Sequence, residues 1–265
     1  MFRDMRRFGL NPDVVRRTSP RTFNGPLRWQ REQDRLLAKR GIPLLDGREV
    51  TSETFEGQPI PGSLVFLASW TDFFVAEADE WRPEAWEIIK KCPNLIFQIL
   101  TKRHGRIEKC LPPDWGDGYP NVWLGVSAED REWWDRRVGV LRNIPARVRF
   151  VSYEPAIGSI EGASAEGIHW VIIGGESAPG RQFQVKWAHE AIKICRRDGA
   201  APFVKQMGSF PMIENYPLYD PVNEVWPPST GLVQLGLKDR HGGNMNEWPQ
   251  ESLRVREWPK QLFAA

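Results

Sequence analysis

The sequence predicts an α/β protein whose core is a parallel sheet of six strands with helices between them. Two observations predict it. Short β-rich apolar runs begin at residues 64, 95, 122, 148, 170 and 202, so successive starts lie 31, 27, 26, 22 and 32 residues apart, close to one strand-helix unit each. Segments with apolar residues at helical spacing fill the intervals, and that alternation builds a sheet covered by helices.

Residues 1–50 read as an N-terminal helical stretch, a Pro-containing extended passage from Asn24 to Trp29 and a helical run near Arg31 to Lys39, with no strong strand. The strands are Leu64 to Ala68, Leu95 to Leu100, Val122 to Val126, Val148 to Val151, Trp170 to Ile173 and Pro202 to Lys205. A helix around Glu84 to Lys91 packs Trp86 and Ile89 and runs into Pro93. Trp134, Val138 and Leu141 fall at i, i+4 and i+7, and Ser127 followed by Asp130 resembles a capping box. Trp187, Ala191, Ile194 and Cys195 form another apolar stripe, closed by Arg196, Arg197 and a C-cap Gly199. The stretch after Pro155 is too short and Gly-rich for a helix. After Gly208, Pro, Trp and turn pairs such as Gly242-Gly243 predict loops, a hairpin and a tail packed on the core. No linker or low-complexity tract divides the chain, so it reads as one domain: a basic arm (1–50), a βα core (64–208) and a loop-rich tail (209–265).

With 265 residues, 41% of them apolar, the chain can bury an ordinary core. Its longest apolar run, Leu64 to Ala68, is far short of the roughly 18 residues that span a membrane, and the first twenty residues hold no signal-peptide core. Cys92, Cys110 and Cys195 form no CxxC pair, so they read as reduced, buried thiols of a cytoplasmic protein, and no metal ligands are expected. The net charge of +2 conceals an asymmetry. Residues 1–40 hold ten Arg and one Lys against four acids, a local charge of +7 that leaves −5 for the other 225. Such an arm meets phosphates or is simply a solvated helix face. No GxxxxGK, GxGxxG, GxSxG or HExxH string occurs, and the four histidines are scattered.

In parallel α/β folds ligands bind beyond the carboxyl ends of the strands, so the candidate site is whatever follows each run. Those residues are Trp70 and Asp72; Lys102 and Arg103; Ser127 and Glu129; Ser152 and Glu154; Gly174, Gly175 and Glu176; Lys205 and Gln206. On one curved sheet Asp72, Glu154 and Glu176 would face Lys102, Arg103 and Lys205 across a mouth. Bland alternatives exist: Ser127 and Asp72 as helix caps, Gly174-Gly175 as a tight turn, Glu154 with Lys205 as a structural ion pair.

LTKR (Leu100 to Arg103), NVWLGVS (Asn121 to Ser127), FVSYEP (Phe150 to Pro155), WVIIGGES (Trp170 to Ser177), FVKQMG (Phe203 to Gly208), PLRW (Pro26 to Trp29) and KDRHGGNMNEWP (Lys238 to Pro249) fall in the order seen in one family. The chain resembles the phage gene-product 37/68 family, found in phages and bacteria, over almost its whole length. The resemblance implies a partial TIM-like (βα)6 barrel related to radical S-adenosylmethionine enzymes, with Gly174, Gly175 and Glu176 corresponding to the element that holds the methionine amino group and Ser127 and Ser152 lying beside the cofactor. Members usually open with a strand and a three-cysteine motif for a [4Fe-4S] cluster. Met1 to Leu10 looks like the helix just after that motif, so the chain as given lacks its first strand and its cluster ligands; S-adenosylmethionine and the cluster are expected only of a longer form.

Three functions stay open at this stage. One is a radical-type enzyme domain in which Asp72, Lys102, Glu154, Glu176 and Lys205 do the chemistry and Trp70, Arg103 and Gln206 hold a substrate such as a nucleic acid or nucleotide. Another is an acid/base hydrolase sharing proton transfer between Glu154 and Glu176. The last is a binding module for nucleic acid, or for a phage or host protein, working through the basic arm.

Overall fold

The structure is a computed structural model and describes residues 17–39, 63–68, 71–177, 179–214 and 231–260. All six expected strands are present: β1 (Ser63–Leu67), β2 (Leu95–Thr101), β3 (Val122–Ser127), β4 (Val148–Tyr153), β5 (Trp170–Gly174) and β7 (Ala201–Gln206). They belong to one sheet in chain order, β1-β2-β3-β4-β5-β7. The β1–β2, β2–β3 and β5–β7 pairs are parallel. This mixed α/β topology is compatible with a partial TIM-like barrel. A second sheet joins β6 (Phe183–Gln184), β8 (Pro211–Glu214) and β9 (Leu232–Gln234), with β8 and β9 antiparallel. None of the helices among the described residues is long and apolar enough to cross a membrane.

The chain divides into two compact units, one drawn from the stretches Met1–Val126, Gly139–Phe150 and Pro259–Ala265, the other from Ser127–Val138 and Val151–Trp258. In the first, α1 (Pro20–Phe23) and α2 (Gly25–Lys39) precede β1, and α3 (Arg82–Lys90) and α4 (Ile107–Cys110) follow β1 and β2. The passage from Asn24 to Trp29, expected to be extended, is helical from Gly25 onward. Pro26 stands in the first turn of α2, where its missing N–H has no partner to lose and its fixed φ suits a helix. Phe97 and Ile99 of β2 and Val122, Leu124 and Val126 of β3 are fully buried. In the same unit Trp86, Trp115 and Tyr119 pack at centroid distances of 5.1 to 5.9 Å. Each indole also finds a carbonyl: Trp86 donates to Cys110 O at 3.0 Å and Trp115 to Pro145 O at 2.8 Å.

The second unit contains most of α5 (Arg131–Leu141) and all of α6 (Val185–Asp198). Ser127 does not cap α5; it closes strand β3. Asp130 caps the helix, its carboxylate accepting from Trp133 N at 3.0 Å. Gly199 ends α6 in the left-handed conformation, φ 79°, as its position after Arg196 and Arg197 predicts. No helix forms between Pro155 and His169. The far side of β7 is covered by the tail: Val204 N donates to Val255 O at 2.8 Å, Glu257 N to Pro202 O at 3.0 Å, and Trp258 stacks on Trp170 at 5.1 Å. These contacts occupy a strand edge that would otherwise offer unpaired backbone groups.

Candidate functional site

In the second unit the strand ends carry two carboxylates, each held by cationic or amide donors. Glu154 follows β4 and is 16% exposed. Its Oε2 accepts from Lys205 Nζ at 3.0 Å and its Oε1 from Gln206 Nε2 at 2.9 Å. Lys205, the penultimate residue of β7, is 53% exposed, so the pair has a dry end and a wet end. Gln206 Nε2 also reaches Gly175 O at 3.0 Å. Gly174 makes room for this arrangement: a Cβ there would stand 3.2 Å from Gln206 O and 3.3 Å from Glu154 Oε1.

Glu176 is built differently. The backbone on either side of it is pressed against the end of β7, where a Cβ on Gly175 would meet Met207 O at 2.3 Å and a Cβ on Gly208 would meet Glu176 N at 2.8 Å. Glycine is therefore required at both positions by close backbone approach. Ser209 N donates to Glu176 O at 2.9 Å. The carboxylate, 32% exposed, takes a forked contact from Arg181: Nε to Oε2 at 2.8 Å and Nη2 to Oε1 at 3.0 Å. This pairing, helped by the charge of Glu129, raises the Arg181 pKa above its ordinary value. Glu129 itself is buried against Arg137 at 2.9 Å.

A turn from the tail buttresses this loop. Asp239 accepts from the amides of His241 (2.9 Å), Gly243 (2.8 Å) and Asn244 (2.9 Å), which holds its carboxyl below the usual range. The turn then takes Met207 N on Gly242 O at 2.8 Å and Gly208 N on His241 O at 3.1 Å. Gly242 has to be glycine, because a Cβ would lie 2.6 Å from Gly208 O.

In the first unit Asp72 has the role of a loop tie. Its oxygens accept from Phe74 N at 2.9 Å, Lys102 N at 2.9 Å and Thr101 Oγ1 at 2.8 Å, and Thr101 Oγ1 in turn accepts from Arg103 N at 2.8 Å. Lys102 and Arg103 are exposed. Ser127 and Ser152 are buried, 4% and 5% exposed; the carbonyl of the first accepts from Arg137 and that of the second from Ala128 N. Trp70 lies outside the described residues, as do Met1 to Leu10.

The model of a family of proteins of unknown function, DUF5131, matches residues 3–248. The chain belongs to the DUF5131 family. No curated protein and no solved structure matches it.

The cysteines of this DUF5131 protein do not fit an iron-sulfur cluster. Cys92, Cys110 and Cys195 are all buried and free, and burial pushes the thiols of Cys92 up to about 11 and of Cys195 up to about 12, away from the thiolate that binds iron. Among the described residues no group of three or more His, Cys, Asp or Glu could hold a metal. Glu176 does fit a positively charged group, since it holds one from Arg181. Sequence reading missed Arg181, the Glu129–Arg137 pair and the Asp239 turn. Arg181 directly follows GGES and its PG, and Asp239 lies within KDRHGGN, strings that stand out in the sequence, but nothing local says that Gly175, Gly208 and Gly242 meet.

Proposed function

We propose that this DUF5131 protein, similar to the phage gene-product 37/68 family, is an enzyme domain of the radical S-adenosylmethionine type that binds the amino group of S-adenosylmethionine at Glu176. One observation supports it above the others. At the carboxyl end of β5, on a loop locked by glycine contacts, a part-exposed carboxylate already carries a forked cation in Arg181. An ammonium entering from solvent replaces that guanidinium at modest cost, because Arg181 is 57% exposed and such pairs contribute little. Bound S-adenosylmethionine would supply an electrophilic sulfonium. The protein's own part is to orient the ligand through Glu176 and to hold polar and anionic groups with Glu154, Gln206 and Lys205. Cys92, Cys110 and Cys195 do not fit the cluster, so no reductive step is derived. Three buried thiols without a disulfide support a reducing compartment such as the cytoplasm.

Isothermal titration with S-adenosylmethionine tests this reading. The protein should bind it, and Glu176→Gln should weaken binding about tenfold or more, as expected for loss of a charge-assisted hydrogen bond. Absence of binding, or equal binding by the variant, overturns the assignment.

A further inference from the structure

Helix α2 carries a basic stripe that plays no part in the site on β4, β5 and β7. At about 100° and about 1.5 Å per residue, Arg28, Arg31, Arg35 and Lys39 fall within about 80° of one another and span about 16 Å of the helix axis. All four are exposed. Arg28 lies 3.9 Å from Glu32, and Arg31, Arg35 and Lys39 carry no ion pair among the described residues.

The opposite face is committed to the protein. Gln30, Gln33 and Leu37 are buried there. Gln30 Oε1 accepts from Asn94 N at 3.0 Å, Asn94 Nδ2 donates to Asp34 Oδ1 at 2.8 Å, and Gln30 Nε2 reaches the same oxygen at 2.6 Å. The helix is therefore held with its basic side outward, and its exposed apolar side chains are Trp29 and Leu36, 38% and 52% exposed, on the flank of the stripe. Beside the stripe stands Trp29, 38% exposed. Its indole rests over Gly25, with a ring carbon 3.4 Å from where a Cβ would be, so the ring is held along the helix.

We propose that this face of α2 binds single-stranded nucleic acid, with Arg28, Arg31, Arg35 and Lys39 on successive phosphates and Trp29 stacked on a base. A row of cations with one exposed aromatic is the pairing that single strands require: the charges track the backbone and the ring takes an unpaired base. A duplex hides the faces of its bases, so the indole would be idle on it.

The test is fluorescence anisotropy of the full chain with a labelled single-stranded DNA oligonucleotide at increasing potassium chloride. The logarithm of affinity should fall against the logarithm of salt with a slope of about −2 to −3, the value for three to four phosphate contacts to a single strand. Arg31→Glu with Arg35→Glu should lose about tenfold or more and flatten the slope by at least about 1, while Arg31→Lys with Arg35→Lys stays within about twofold. Trp29→Ala should lose about tenfold, the loss expected of one base stack. Circular dichroism confirms that each variant is folded. Failure to bind at low salt, an unchanged slope in the charge-reversed variant, tighter binding to duplex, or capture by phosphatidylserine vesicles in place of the oligonucleotide each overturns the proposal. S-adenosylmethionine titration of the same variants should be unchanged, so this result stands or falls apart from the reading of Glu176.

Discussion

Asp72 and Glu176 both stand just beyond the carboxyl end of a strand, and their surroundings differ in kind. Asp72 is satisfied by two backbone amides and a buried threonine hydroxyl, at 2.8 to 2.9 Å. Glu176 takes its side-chain contacts from Arg181, whose guanidinium, 57% exposed, bonds both oxygens and whose backbone amide donates to Oε2 at 3.0 Å. Glu154 is like Glu176, with Lys205 53% exposed. A carboxylate bonded only to backbone amides and a buried hydroxyl cannot exchange partners without opening the loop, whereas one that bonds a solvent-exposed cation, as Glu176 does through Oε1, can exchange that contact. The first arrangement ties a loop, and the second leaves a cation that solvent reaches. Asp239, with three amides, is of the Asp72 kind although it lies beside the Glu176 loop.

The comparison can be broken most severely at Asp72. Asp72→Ala leaves the amides of Phe74 and Lys102 and the Thr101 hydroxyl without an acceptor, and should cost about 2 kcal/mol in urea unfolding. Asp72→Asn should cost less, and neither change should alter ligand binding at Glu176. An Asp72 variant of wild-type stability would place this carboxylate in the exchangeable class.

Acid gives an intermediate effect. The pKa of Asp239 is lowered from its ordinary 3.8 by the amides of His241, Gly243 and Asn244, and that of Glu247 is lowered from 4.5 by the amides of Asp239 and Lys238. A carboxyl lowered on folding adds stability above its unfolded value, and that contribution is lost as pH falls through the folded one. The turn should therefore hold through the ordinary carboxylate range and release below it. The indole N–H resonance of Trp248, which donates to Gly242 O at 2.8 Å, reports the release by NMR. In Asp239→Asn this acid step should shrink; an identical titration in the variant would remove Asp239 from the explanation.

The smallest effect on stability sharpens the contrast. Arg181→Gln should change unfolding free energy by about 0.5 kcal/mol or less, because an exposed ion pair contributes little. If the guanidinium competes with an incoming ammonium, the same variant should bind S-adenosylmethionine more tightly, which calorimetry measures.

The strands were legible because their apolar runs are separated by stretches of helical period, and tertiary context did not override them. Gly199 was legible because a helix end with two preceding arginines and an αL residue is a local pattern. The stretch from Asn24 to Trp29 was misread because Pro26 breaks a helix interior but suits its first turn, and sequence alone did not show where that turn began. Ser127 and Asp130 offer the same capping chemistry three residues apart, and pairing within β3 took Ser127 out of contention. Of the site, the strand-end carboxylates, Lys205 and Gln206 were found from the rule that ligands sit at that end, and Glu154 with Lys205 was legible as an ion pair, whereas Arg181 as the partner of Glu176 was not.

The sequence by itself determined the number and order of the core strands, most of the helices and which residues reach the strand ends, since each depends on neighbours within a turn or a strand. Tertiary structure decided which of the possible partners each carboxylate takes. Asp72 meets Thr101 across 29 residues, and Glu154 meets Lys205 across 51 and Gln206 across 52. Whether a carboxylate is tied by amides or by an exposed cation depends on which strand ends become neighbours, and that is set by sheet order and close packing of glycine backbones rather than by local propensity.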